Sequence, residues 1–143
     1  MNRLCDIRLR TALLIYLSLD VLCVGAGMGL PIFCIALGFP VGWYIGGRVS
    51  TESADLRSTL RKTLAYAIIT ASVTFVGMFL LWGRCVVMLF DPAADLANFG
   101  IPQILYQPKA SFIGWLVLMI FISPFLQFLM TIFGAHVGML RRR

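Results

Sequence analysis

The stretch Gly25-Ala26-Gly27-Met28-Gly29-Leu30-Pro31 interrupts an apolar run that otherwise extends from Thr11 to Gly47. Read as one helix, that run of about 37 residues would reach roughly 55 Å, well beyond a hydrocarbon core about 30 Å thick. Three glycines and a proline at its middle let the chain turn. Proline suits the first turn of a new helix, because the amide it lacks would be unpaired there anyway. The reading is a tight helical hairpin with its bend near Gly27–Pro31, which makes two spans, 11–30 and 31–47, out of one run.

Two more apolar stretches lie further on, at 64–90 and 110–137. Each holds the roughly 20 residues that a helix needs to cross a bilayer. The whole chain is 60% hydrophobic and only 13% charged, with a mean hydropathy of +0.92, which excludes an ordinary soluble domain. The expected fold class is an all-α integral membrane protein: four transmembrane helices forming a single polytopic membrane domain over 1–143.

Charge orients it. With four spans, the two tails and the loop 48–63 share one face, and ten of the twelve basic residues fall there. They are Arg3, Arg8 and Arg10, then Arg48, Arg57, Arg61 and Lys62, then Arg141, Arg142 and Arg143. The positive-inside rule assigns that face to the cytoplasm, so the N- and C-termini are both expected there, in the plasma (inner) membrane. The pI of about 9.6 is explained by this topology, and no nucleic-acid partner is expected. Trp43, Tyr44 and Tyr66 fall at the cytoplasmic interface, and Trp82, Tyr106 and Trp115 at the outer one. No small-x-small cleavage site follows Thr11–Leu19, so the first span is expected to be retained.

The cytoplasmic loop carries Leu56, Leu60 and Leu64 at every fourth position beside Arg57 and Arg61. This reads as an amphipathic surface turn that continues into the third span, with Ser50, Thr51 and Ser53 as candidate caps. Its arginines are suited to anionic headgroups, at about 1 kcal/mol each. The outer segment 91–109 opens on Asp91-Pro92 and is punctuated by Pro102 and Pro108. Phe99, Ile101, Ile104, Leu105 and Tyr106 make it too apolar for a free loop, so it is expected to fold against the outer interface.

Small residues mark helix-packing faces. Gly38, Gly42 and Gly46 form one stripe on the second span, and Gly25/Gly29 and Gly134/Gly138 repeat its shorter version. Spacing of four aligns them where another backbone can approach closely, as in a glycine zipper within the bundle or between copies. Pro40 and Pro124 lie inside spans and free the carbonyls of Ala36 and Ile120. Ser123, Gln127 and Thr131 flank the second of these breaks.

Asp20 is the outstanding polar residue. It lies about nine residues, or roughly 13 Å, into the first span. An aspartate there costs on the order of 3 kcal/mol on insertion scales, so it needs a partner, water or a proton. Ser72 and Thr74 on the third span and Ser123 on the fourth share its depth, and with it form a candidate ion or proton site. Arg84 sits too near the outer surface to pair with it and is expected to snorkel to the headgroups.

No catalytic motif appears: no Gly-x-Ser-x-Gly elbow, phosphate loop, His-Glu-x-x-His or pair of intramembrane carboxylates. Four scattered cysteines and one histidine, His136, offer no metal cluster, and no cofactor is expected. Two functions remain. One is a noncatalytic accessory or self-associating helical bundle, as a homo-oligomer or part of a larger membrane complex. The other is a small proton- or cation-coupled transporter or channel with Asp20 as its intramembrane site.

Overall fold

The computed structural model describes residues 9–26, 31–52, 56–103 and 105–141. It is all-helical: α1 (Leu9–Ala26), α2 (Pro31–Glu52), α3 (Leu56–Val86) closing in a 3-10 turn (Val87–Leu89), then α4 (Pro108–Val117), a π turn (Leu118–Ile122) and α5 (Ser123–Leu140). Three stretches are long and apolar enough to cross a membrane: Ile32–Val49, Arg57–Leu89 and Pro108–Leu140. The apolar part of α1, Leu14–Cys23, is shorter.

Separate helices end at Ala26 and begin at Pro31; Gly27 and Gly29, where the bend was expected, lie outside the described residues. Elsewhere the helices outrun the apolar spans. α2 continues past Gly47 to Glu52, and α3 starts at Leu56, where the amphipathic turn leading into the third span was expected, so most of the stretch 48–63 is helical. The reason is local, since no glycine or proline occurs between Arg48 and Val76 to stop either helix. Ser53, one of the expected caps, lies outside the described residues.

The two prolines act differently. α2 runs on through Pro40. At Pro124 the helix widens instead: the Ser123 amide donates to the Leu118 carbonyl, five residues back. A proline ring collides with the carbonyl four positions earlier, and one extra residue in the turn relieves that collision. The break expected at Pro124 therefore takes the form of a π turn.

Side-chain pairs fix the helix directions. Tyr16 bonds to Thr70 and Asp20 to Thr74, each 54 positions on, so α1 runs parallel to α3. Phe75 pairs with Phe121 at 5.7 Å and Trp82 with Trp115 at 6.4 Å, so α3 runs antiparallel to the last span. α2 and α5 are parallel and make the closest approach of the fold. A Cβ on Gly38 would lie 2.6 Å from the Gln127 carbonyl oxygen. One on Gly42 would meet the Thr131 carbonyl, one on Gly46 that of Ala135, and one on Gly134 that of Phe39. Contact between backbones, without side chains between them, is how helices gain dispersion energy where no hydrophobic effect drives them together.

Polar side chains collect inside, beside an apolar cluster around Phe112, while large apolar side chains face outward. Asp20, Thr59, Thr63, Thr70, Thr74, Ser123, Gln127 and Thr131 are buried, while Leu14, Val21, Ile32, Leu80, Phe121 and Phe133 are exposed. That inversion suits a chain whose solvent is lipid.

Among its described residues, the segment 91–107, expected at the outer interface, has no regular structure but is not free. Leu96, Phe99 and Ile101 pack on the buried Phe112–Leu116–Ile120 row, with Phe99 edge-on to Phe112 at 5.1 Å. The Ser111 hydroxyl accepts from the Leu105 amide at 2.8 Å and donates to its carbonyl at 3.0 Å. Within the segment, the side-chain and backbone amides of Asn98 donate to Asp95 and hold its carboxyl below the usual range. Trp82 and Trp115 are half-buried and pack edge-on against each other, and Tyr106 is fully exposed.

Candidate functional site

The polar group at the centre of the bundle is assembled from three helices. Tyr16 and Asp20 sit one turn apart on α1, so both face the same way. Thr70 and Thr74 repeat that spacing on α3, and Gln127 comes from α5. The Thr74 hydroxyl lies 2.9 and 3.0 Å from the two carboxyl oxygens of Asp20 and donates there. Tyr16 donates to the Thr70 carbonyl at 2.9 Å and accepts from the Gln127 amide nitrogen at 3.0 Å. Gln127 also lies within reach of the Asp20 carboxyl. Gly38 makes room for it: a Cβ there would stand 3.2 Å from Gln127 Cγ.

Asp20 is only 2% exposed, and no cationic side chain is paired with it among the described residues. Among the described residues five buried side-chain polar atoms have no hydrogen-bond partner: the Ser123 hydroxyl and Gln127 amide oxygen at this group, and the Thr63 hydroxyl and the Trp82 and Trp115 indole nitrogens elsewhere. On the side of the α3 C-terminus the polar group is capped by Cys34 and Met78, with Cys23 and Trp82 packed against them. Chemically, the arrangement can hold a carboxyl group by hydrogen bonds. Among the described residues no three His, Cys, Asp or Glu side chains gather to hold a metal ion.

Of the residues expected to meet Asp20, Thr74 bonds to it. Ser123 is buried, but its hydroxyl makes no bond. Ser72 is exposed and does not belong to the group. Two residues before Thr74 on a helix means about 200° around the axis, which carries it to the lipid side. Gly38, Gly42, Gly46, Gly134 and Gly138 all line the α2–α5 contact. Gly25 lies in the last turn of α1. Arg84 stands exposed in the last turn of α3, and His136 is exposed on α5. Tyr16 escaped the sequence reading, although its position four residues before Asp20 on an apolar helix was a usable signal. Gln127 figures in the sequence as a neighbour of the helix break, not as a partner of Tyr16.

Thr74→Val is expected to destabilise the fold by about 1–2 kcal/mol, because it removes the hydroxyl donor to a buried carboxyl. A double-mutant cycle with Asp20→Asn, measured by unfolding in mixed micelles, should return a coupling of about 1 kcal/mol. A coupling of zero would mean the contact contributes nothing.

Compared with protein-family models, with curated proteins and with solved structures, the chain matches none.

Proposed function

We propose that this is a noncatalytic four-span membrane protein of the plasma (inner) membrane, with both tails cytoplasmic, serving as an accessory subunit or self-associating bundle. The observation that carries the reading is the parallel pairing of α1 with α3 through buried polar contacts. A helix held at the level of Asp20 against the middle of a spanning helix, and running the same way, is best accounted for as a span itself. Asp20 is then a structural acid that ties α1 to α3, and Gly38, Gly42 and Gly46 act as a glycine zipper inside the bundle. Because α5 covers that stripe, contact with another copy or subunit would use the lipid-facing side chains. The basic end faces anionic headgroups.

A second reading, a small proton- or cation-coupled transporter or channel, draws on the unpartnered Ser123 hydroxyl and Gln127 amide oxygen beside the Asp20 group. Buried polar atoms without partners are uncommon, and an ionisable side chain inside a membrane span often marks an ion or proton path.

Two measurements decide between the readings. Reporter fusions to the two tails should both report the cytoplasm; opposite compartments would remove the four-span reading. In sealed proteoliposomes, wild type and Asp20→Asn should both be as tight to protons and monovalent cations as empty vesicles. A wild-type flux that Asp20→Asn abolishes would establish the transporter instead.

A further inference from the structure

The first two turns of α3 form one side of an open cleft of about 680 Å³, lined by Arg57, Ser58, Leu60, Arg61 and Leu64. Its chemistry is divided. Arg57 and Arg61 stand one turn apart, so their guanidinium groups share a face, and Ser58 adds a hydroxyl. Leu60 and Leu64, also one turn apart, are about half exposed at 51% and 46%. The cleft lies where the apolar stretch Arg57–Leu89 begins, which is the level at which headgroup gives way to hydrocarbon. Arg57 and Ser58 also take part in further interactions within the chain.

We propose that this cleft binds one anionic phospholipid, its phosphate between Arg57 and Arg61 and the upper part of an acyl chain along Leu60 and Leu64. Charge complementarity selects the occupant. Two guanidinium groups on one face match a phosphate by charge-assisted hydrogen bonds, while the adjoining leucines leave an apolar strip that a soluble anion would not cover. The α3 N-terminus begins at Leu56 and adds its dipole to the same attraction. The proposal deepens the headgroup contact of the preceding reading, from a diffuse attraction at the basic end to a discrete site with a stoichiometry.

The test is native mass spectrometry of the full chain released from micelles holding equal amounts of phosphatidylglycerol and phosphatidylcholine. One phosphatidylglycerol per chain should be retained in preference to phosphatidylcholine. Arg57→Gln or Arg61→Gln should weaken retention about fivefold, and the double substitution about thirtyfold. Lys62→Gln removes the same charge from the same helix but does not line the cleft, and should leave retention within twofold of wild type. Leu64→Ser should weaken phosphatidylglycerol without affecting competition by inorganic phosphate. Equal retention of the two lipids, a loss with Lys62→Gln as large as with Arg61→Gln, or full displacement by inorganic phosphate would each overturn the proposal. Circular dichroism of each variant confirms that it is folded. The micelle experiment is independent of orientation, so a failed topology and a failed lipid site give different results.

Discussion

Gly42→Leu is expected to destroy the fold, with a loss of about 3 kcal/mol or more and a chain that no longer resists mild detergent unfolding. The size of the effect follows from what the new side chain meets. Its Cβ alone would overlap the carbonyl of Thr131, which is α5 backbone and has no rotamer to move into. The only relief is to separate α2 from α5, and that opens the neighbouring contacts at Gly38, Gly46, Gly134 and Gly138 together. Gly42→Ala should show a smaller loss in the same direction. Gly114→Leu is the control, since a Cβ at Gly114 has nothing within 4 Å. If the unfolding midpoints of Gly42→Leu and Gly114→Leu coincide, the α2–α5 contact described above is not the one that holds the protein together.

Phe112→Ala is the second substitution with a large expected effect. Phe112 is fully buried, touches Leu116 and Ile120 through its cluster, and carries Phe99 edge-on. Truncating a buried phenylalanine costs about 3–5 kcal/mol in soluble cores through lost contacts and the cavity left behind. Here the loss has a place: it removes the seat of the outer segment. In micelles, protease should cut within 91–107 far faster than in wild type, while the α2–α5 contact stays intact. Phe90→Ala, at a ring 81% exposed, should change neither stability nor cleavage. Unchanged protection in Phe112→Ala would mean that the segment is held by something other than this ring.

These two contacts also show what the sequence could and could not disclose. Span length is a one-dimensional property, so the apolar stretches and the separation at Pro31 could be read directly. The glycine periodicity on α2 was equally visible, because it depends only on spacing. The partner of that stripe was not, since nothing local links Gly42 to Thr131. Helical phase explains the error at Ser72: depth in the membrane placed it level with Asp20, but rotation turned it away, and hydropathy alone carries no phase where every face is apolar. The buried stripe Thr59, Thr63, Thr70 and Thr74 carried that missing phase information, at helical spacing on α3. The helical turns that lead into α3 were legible from the fourfold spacing of Leu56, Leu60 and Leu64, whereas the run of α2 past Gly47 was not, because charge ends a membrane span without ending a helix.

The parallel α2–α5 contact has a consequence for biogenesis. Gly42 and Thr131 are separated by about 90 residues, so at ~5–20 residues per second the ribosome needs on the order of 5–20 s to deliver the second after the first. Throughout that interval the glycine face of α2 lacks its partner and must lie against lipid, α3 or a passing helix of another protein. The most intimate junction of the finished molecule is thus among the last to form, and a transcript cut short before α5 would release a product with that face permanently bare.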